Sequence, residues 1–173
     1  LKDFKPDVLV IYDDGFNYLT KMCLTNMREA AFSMSAMAKA FGCTVIVSSS
    51  DSTDQYDTYL NHQADYIIIG EAKQTLLKLL KAIGTGKTDN ADIPGLAMRM
   101  DGVTIHTGKR PIMTDLDSLP LPAWDLVDVA RYQTEWRNKS GYFSVNIGTT
   151  RGCPFKCNWC AKPIYGNRYN ART

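Results

Sequence analysis

Three short apolar runs, separated by longer amphipathic segments, set the pattern of this chain. The runs cover residues 7–12, 44–47 and 66–69, and β-branched Val and Ile dominate them. A continuous apolar run of this length is typical of a strand buried on both faces of a parallel sheet. The pattern therefore predicts three buried strands in the first half of the chain.

The segments between these runs have helical periodicity. Apolar residues from 24 to 41 recur at three- and four-residue steps, which predicts a helix that ends at Gly42. A short helix is predicted over 54–61, and a longer one over 71–83 that ends at Gly84. Met27, Met34 and Met37 lie on the stripe of the first helix, where core packing against the sheet is favoured over an adaptable binding face.

Strand and helix alternate in this region in units that suit right-handed βαβ crossovers. The fold class predicted is therefore α/β, with a doubly wound parallel sheet. Asp101 and Gly102 then separate two further apolar segments, 95–100 and 103–106, which is a hairpin signal. We expect Val8, Val10, Ile46, Ile67 and Ile69 to lie in adjacent parallel strands, with the first helix packed on one face (residues 24–41).

Composition narrows the class of protein further. The chain has 173 residues, of which 45% are hydrophobic and 22% are charged, which excludes a disordered, collagenous or coiled-coil chain. A net charge of +2 gives no strong attraction to nucleic acid or anionic membrane. No apolar run approaches the roughly 20 residues of a membrane span. Because residue 1 is Leu, we expect a fragment or a processed product.

The regular pattern of apolar residues ends after residue 108, where prolines become frequent. Pro111, Pro120 and Pro122 interrupt a segment in which apolar residues have no clean periodicity, which predicts an ordered linker. The next segment, 142–148, is predicted to form a strand that runs into a cysteine-rich loop. The organisation predicted is a first domain over 1–110, a linker over 111–140 and the start of a second domain over 141–173.

The five cysteines are unevenly distributed. Cys23 and Cys43 stand alone in apolar sequence, whereas Cys153, Cys157 and Cys160 fall within eight residues. An odd, clustered set favours a reducing compartment with a metal or redox site over a secreted disulfide framework. A cytoplasmic location is therefore expected.

The spacing of the clustered cysteines favours an iron–sulfur cluster. Three thiolates would hold three irons of a 4Fe–4S cluster and leave one iron open for a substrate or cofactor. The alternatives are three inert thiols or a structural zinc site, which is commonly closed by four ligands. His62 and His106 are the only histidines, and neither is near the cysteines in sequence.

The loop resembles the motif of the radical S-adenosylmethionine superfamily. The resemblance is carried by Cys153, Cys157 and Cys160, spaced by three and then two residues, with aromatic Trp159 before the last. It implies that the cysteines hold a 4Fe–4S cluster whose open iron binds S-adenosylmethionine, and that reductive cleavage gives a 5′-deoxyadenosyl radical. It further implies that Trp159 lies against the adenine, although plain packing of the loop is the alternative.

The upstream region resembles the cobalamin-binding domain that precedes this motif in one branch of the superfamily, which includes methyltransferases and anaerobic porphyrin ester cyclases. The matching segments occur in order across nearly the whole chain: 5–10, 45–48, 64–71 with Thr75 and Leu76, 93–97 and 116–125. The resemblance implies a Rossmann-like domain of the cobalamin-binding type and, after it, the start of a TIM-type barrel.

Two departures from the family pattern stand out. The family's domain opens with another strand, and this chain is expected to lack that first strand. A histidine that ligates cobalt in some cobalamin proteins follows that first strand in the family. In addition, Ser49 and Ser50 stand where relatives often have two glycines, which keeps small residues but adds polar atoms.

The ends of the predicted strands are the expected cofactor contacts, because ligands of open parallel sheets bind beyond the carboxyl ends of the strands. Glycine and serine there let a large ligand approach the backbone. Asp13, Asp14 and Glu71 have an alternative interpretation as ordinary caps and turn formers. The predicted contacts are Tyr12, Asp13, Asp14, Gly15, Ser48, Ser49, Ser50, Gly70 and Glu71.

The resemblance implies a cobalamin-dependent radical S-adenosylmethionine enzyme with methyl transfer to an unactivated carbon as the leading reaction. A radical oxidative cyclisation and a noncatalytic cobalamin- or cluster-binding module are the alternatives. The implied cofactors are the 4Fe–4S cluster, S-adenosylmethionine and cobalamin. The implied partners are a small-molecule substrate and an electron donor, and the fragment by itself is expected to be inactive.

Overall fold

A five-stranded mixed sheet organises the first of two units, Leu1–Pro111. The structure is a computed structural model that describes residues 3–12, 22–145, 147–155, 157 and 169–173. The strands follow one another across the sheet in chain order. They are β1 (Val8–Tyr12), β2 (Thr44–Ser48), β3 (Tyr66–Ile68), β4 (Leu96–Met100) and β5 (Val103–His106).

The first three strands are parallel, as predicted. Val10 of β1 lies opposite Ile46 of β2, and Val47 of β2 lies opposite Ile67 of β3. The predicted hairpin is also present, and β4 adds to β3 in the antiparallel direction, which makes the sheet mixed. Ile69 lies just beyond β3, where its N–H donates to the carbonyl of Gly95 at 2.8 Å.

Four helices lie between these strands in the part of the first unit that the structure describes. They are α1 (Leu24–Ala40), α2 (Ser50–Asp54), α3 (Tyr56–Asn61) and α4 (Ala72–Gly84). The short helix predicted over 54–61 is present as α3, but an additional short helix that was not predicted, α2, precedes it. The reason is a capping box, in which the Ser49 hydroxyl accepts from the Ser52 N–H and the Ser52 hydroxyl accepts from the Ser49 N–H. This box begins a helix immediately after β2.

Helices cover both faces of the sheet, as the doubly wound prediction requires. Successive side chains of a strand point to opposite faces, so Val45 and Val47 pack with α1 and α3, while Ile46 packs with α4. All three side chains are at most 1% exposed. The core is thus split into two apolar layers with the sheet between them.

The methionines of α1 are not in the core, and the expectation of core packing is wrong for them. Met27, Met34 and Met37 are 40%, 41% and 54% exposed. The buried side chains of α1 are small instead: Ala31, Ser35 and Ala38. Residues at three- and four-residue steps form two adjacent stripes on this helix, one of methionines and one of small residues. The stripe of small residues packs on the sheet, because small side chains let the helix backbone approach it.

The second unit, Ile112–Thr173, contains a short 3₁₀ helix (Trp124–Leu126), one α-helix and one pair of short strands among its described residues. Helix α5 (Val129–Ser140) lies inside the predicted linker. Asp128 caps α5 by accepting from the Arg131 N–H, and Gly141 ends it with a φ of +76°. Strand β6 (Thr150–Arg151) pairs in antiparallel fashion with β7 (Asn170–Ala171).

The strand predicted over 142–148 is not formed by the residues that the structure describes there, 142–145 and 147–148. A strand needs a neighbour for its backbone hydrogen bonds, and apolar, aromatic composition alone does not supply one. The assignment of 111–140 as a linker and of 141–173 as the start of a barrel stays a prediction. No helix among the described residues is long and apolar enough to cross a membrane.

Gly95 provides a test of the junction between β3, α4 and β4. Its φ is +84°, and a Cβ there would lie 3.2 Å from both the Ile69 carbonyl oxygen and the Thr75 Oγ1. Gly95→Ala should lower the free energy of unfolding by about 2 kcal/mol, because it combines left-handed backbone strain with a contact against backbone. Urea unfolding followed by circular dichroism measures this change.

Gly84→Ala is the matched control. Gly84 ends α4, and a Cβ there would meet no atom within 4 Å. We expect the control to be neutral or to stabilise the protein by up to about 1 kcal/mol. Equal unfolding midpoints for the two variants would contradict the packing described at Gly95.

Candidate functional site

The carboxyl ends of β1, β2 and β3 lie along one edge of the sheet because the three strands are parallel. Tyr12, the last residue of β1, is 56% exposed, whereas Ser48, the last residue of β2, is 5% exposed. Two of the predicted contacts, Tyr12 and Ser48, are therefore brought to one edge, as one exposed aromatic ring and one buried hydroxyl.

Ser49 and Ser50 continue from Ser48 into α2. The Ser49 hydroxyl caps this helix, and Ser50 is its exposed first residue. Ser49, which was predicted to be a cofactor contact, is therefore a helix cap. This is the structural role that was given above as the alternative for Asp13, Asp14 and Glu71. The two interpretations are compatible, because the half-buried Ser49 also faces a cavity.

Gly70 and Glu71 form the corresponding turn after β3. Gly70 has a φ of +78°, a left-handed conformation that favours glycine. Glu71 occupies the N-cap position of α4. The remaining predicted contacts, Asp13, Asp14 and Gly15, lie outside the described residues.

A narrow cavity, called the slot below, opens between α1 and the ends of β1 and β2. Its volume is about 60 Å³, and about 430 Å³ when the open space at its mouth is counted. The slot is therefore too small for a whole macrocycle, and it admits at most a ring-sized part of a ligand. Its walls are mostly apolar and its inner end is polar; the lining residues are Ile11, Leu24, Met27, Arg28, Ala30, Ala31, Met34, Val47, Ser49, Asp51 and Tyr59.

An ion pair forms the polar end of the slot. Arg28 of α1 donates to Asp51 of α2 twice, from Nε to Oδ2 at 2.7 Å and from Nη2 to Oδ1 at 2.5 Å. The Tyr59 hydroxyl donates to the same Oδ2 at 2.7 Å. Sequence reasoning missed this group, because its three members lie on three helices and only the tertiary structure brings them together.

The environment shifts the protonation of all three groups. The hydrogen bonds from Arg28 hold the pKa of the Asp51 carboxyl below its ordinary value, against the opposing effect of burial. The same hydrogen bonds raise the pKa of Arg28, and burial raises the pKa of Tyr59. A carboxyl whose pKa is lowered by folding stabilises the fold above its unfolded pKa and loses that effect as the pH falls. The ion pair is therefore intact at neutral pH.

Two of the three predicted cluster ligands are described. Cys153 is half-buried, Cys157 is exposed, and both are free thiols. Gly152 before them has a φ of +75°. Cys160 and Trp159 lie outside the described residues. Among the residues that are described, no three His, Cys, Asp or Glu side chains are grouped so that they could hold a metal ion.

A larger groove of about 810 Å³ runs along α5 in the second unit. It is lined by alternating apolar and charged side chains of one exposed helix, such as Tyr132, Glu135 and Trp136. No predicted site residue lies in it. We therefore regard the slot in the first unit as the candidate site.

Comparison with curated proteins finds two kinds of relative. The anaerobic magnesium-protoporphyrin IX monomethyl ester cyclase of Synechocystis is 34% identical over 110 residues, which is 64% of this chain and 21% of that protein. An uncharacterized methyltransferase of Pyrococcus horikoshii is 24% identical over the whole chain and 35% of its own length. The chain thus spans about a fifth to a third of these relatives. No family model matches the chain.

Comparison with solved structures gives matches over almost the whole chain. The cobalamin-dependent S-adenosylmethionine radical enzyme OxsB, solved with aqua-cobalamin and S-adenosylmethionine, has a TM-score of 0.67 at 14% identity, covering 99% of this chain and 22% of that one. The radical S-adenosylmethionine methyltransferase TsrM of Kitasatospora setae was solved with cobalamin and a 4Fe–4S cluster. It has a TM-score of 0.65 at 15% identity, and the match covers 99% of this chain and 35% of that one. The fold is thereby shared with these enzymes. Together with the named relatives, these matches confirm the resemblance of the chain to cobalamin-binding-domain-containing radical S-adenosylmethionine proteins of the methyltransferase and anaerobic porphyrin ester cyclase branch.

Proposed function

We propose that this chain is the cofactor-binding part of a cobalamin-dependent radical S-adenosylmethionine enzyme that transfers a methyl group to an unactivated carbon. The observation that carries the proposal is the occurrence, in one chain, of a slot at the carboxyl edge of a parallel sheet and a loop with three closely spaced cysteines. Two structural neighbours support the cofactors, since their descriptions name cobalamin together with S-adenosylmethionine or a 4Fe–4S cluster, and a relative named as a methyltransferase supports the reaction.

The residues present fit the two cofactors. Cys153 and Cys157 are free thiols that a cluster can reach, and Cys160 supplies the third thiol in the sequence. Three thiolates leave one iron of a 4Fe–4S cluster without a protein ligand, where S-adenosylmethionine would bind. When bound, these groups supply the methyl group and the radical chemistry, and the chain's own residues bind and orient them.

The slot suits the lower, nucleotide part of cobalamin. A benzimidazole ring is flat and apolar, and the slot offers apolar walls from Ile11, Met27, Met34 and Val47. Exposed Tyr12 and the turn at Gly70 lie at the same edge of the sheet and would face the corrin. In this role the chain would exclude water from the ring and hold the corrin at the sheet edge.

A radical oxidative cyclisation is the second candidate, because the named cyclase of Synechocystis is 34% identical to this chain. The substrate would in either case be a small molecule, and an electron donor would be needed to reduce the cluster. S-adenosylmethionine labelled in its methyl group separates the two reactions with the intact, reconstituted protein. Label that appears on cobalamin or on a product other than methionine supports methyl transfer, whereas 5′-deoxyadenosine formed while all the released label stays in methionine supports the cyclase.

The cluster is tested by iron analysis. Anaerobic reconstitution of the intact protein should give about four irons per chain, and Cys157→Ala should abolish this content because a thiolate ligand is lost. Cys23→Ala is the control, since Cys23 is an exposed thiol outside the loop and its loss should leave the iron content unchanged. Stoichiometric zinc without sulfide, or full iron content in Cys157→Ala, would contradict the cluster.

Cobalamin binding is tested by filling the slot. Ala30 and Ala36 are both exposed alanines of α1, but only Ala30 lines the slot. Ala30→Trp should weaken the binding of hydroxocobalamin by about tenfold or more, whereas Ala36→Trp should bind as the unaltered protein does. Titration of the intact protein, followed by the visible spectrum, measures both. Equal affinities for the two variants would show that the slot does not hold the ligand.

A further inference from the structure

Helix α1 has no large side chain that is fully buried, although the partly buried Phe32 packs against the core beside Tyr59 and His62. Its buried residues are Ala31, Ser35 and Ala38, and the Ser35 hydroxyl donates within the helix to the carbonyl of Ala31. Small residues allow close approach, but they do not interlock with the strands as branched side chains would. Contacts near the two ends of α1 therefore add to that of Phe32 in fixing the position of the helix over the sheet.

An ion pair lies near each end of α1. Arg28 bonds to Asp51 in the first half of the helix, and Lys39 bonds to Asp65 near its end, with both Oδ atoms 2.9 Å from Nζ. The two pairs differ in burial: side chains of Lys39 and Asp65 are 36% and 33% exposed, whereas that of Asp51 is 6% exposed. A pair with a buried member is screened less by water and salt.

Only the first pair belongs to the slot. Arg28 stands on the α1 wall, and Asp51 stands on the opposite wall, two residues after the cap residue Ser49. The pair therefore spans the slot at its inner end and links its two walls directly. The planar guanidinium, bonded through two nitrogens, also fixes the orientation of the link.

We propose that Arg28 and Asp51 are positioning residues that set the width of the slot and thereby the fit of the ligand's ring between its walls. The inference rests on the proposed function for the identity of the ligand, the nucleotide part of cobalamin. Because Arg28 and Asp51 neutralise each other, the inner end of the slot is polar without net charge, which suits a neutral aromatic ring and disfavours an ionic one. Loss of the pair lets the first half of α1 move away from β2 and loosens the contact on both faces of the ring.

Arg28→Leu and Lys39→Leu form a matched pair of variants in the intact protein. Each removes one ion pair of α1 and leaves its acid with one other donor, the Tyr59 hydroxyl for Asp51 and the Val45 N–H for Asp65. Titration with hydroxocobalamin should show affinity about tenfold weaker for Arg28→Leu and within about twofold of the unaltered protein for Lys39→Leu. Arg28→Lys keeps the charge but loses the geometry of two bonded nitrogens, so its affinity for hydroxocobalamin should lie between those of the two Leu variants.

Hydrogen–deuterium exchange supplies a readout that needs no ligand. Arg28→Leu should speed amide exchange over residues 26–34, in the first half of α1, and leave 35–40 unchanged, because local opening follows the lost contact. Lys39→Leu should speed amide exchange over residues 35–40 and leave 26–34 unchanged. If Arg28→Leu does not fold, Asp51→Asn is the second variant, since it keeps the shape of the side chain and removes the charge.

The outcomes separate this inference from the proposed function. No cobalamin binding by the unaltered intact protein overturns the proposed function and the ligand assigned to the slot. Binding by the unaltered protein together with unchanged affinity in Arg28→Leu and Asp51→Asn overturns the positioning role alone. An equal loss of affinity in Lys39→Leu, or uniform acceleration of exchange along α1, also overturns it, because either result reports general destabilisation.

Discussion

The parallel pairing of β1, β2 and β3 is the constraint on which the rest of the first unit depends. Strand β2, the middle one of these three, has every residue from Val45 to Ser48 at most 5% exposed, so it can exist only with strands on both sides and helices on both faces. Parallel strands end at the same edge of the sheet. This geometry gathers Tyr12, Ser48 and the turn at Gly70 into one place, although they are far apart in sequence.

A second constraint follows from burying a carboxylate at that edge. The Asp51 side chain is 6% exposed, and a buried charge is costly unless it is paired and hydrogen-bonded. Arg28 and Tyr59 meet this requirement from two different helices. The hydrogen bonds that satisfy the charge also join α1, α2 and α3 around one cavity, so the electrostatic requirement and the shape of the slot have the same origin.

The two units differ in how far their structure supports a chemical role. In the first unit, strands, helices and the slot form one hydrogen-bonded and packed arrangement, and its fold is shared with OxsB and TsrM. In the second unit, Cys153 and Cys157 are described as free thiols near the short pair β6 and β7. The chemistry proposed for the loop therefore rests on the spacing of its cysteines, and that proposed for the slot rests on its geometry.

The sequence by itself determined the three parallel strands, the hairpin at Asp101 and Gly102, helices α1 and α4, and the motif formed by the cysteines, because each depends on local periodicity, turn chemistry or spacing. Only the tertiary structure decided which stripe of α1 is buried, since Met27 and Ala31 both lie on apolar stripes and the smaller residues are the ones that pack against the sheet. It likewise decided that residues 142–145 form no strand, because strand formation requires a partner that composition does not encode. The group formed by Arg28, Asp51 and Tyr59 also needed the fold, because hydrogen bonds between side chains on separate helices leave no periodic signal in the sequence.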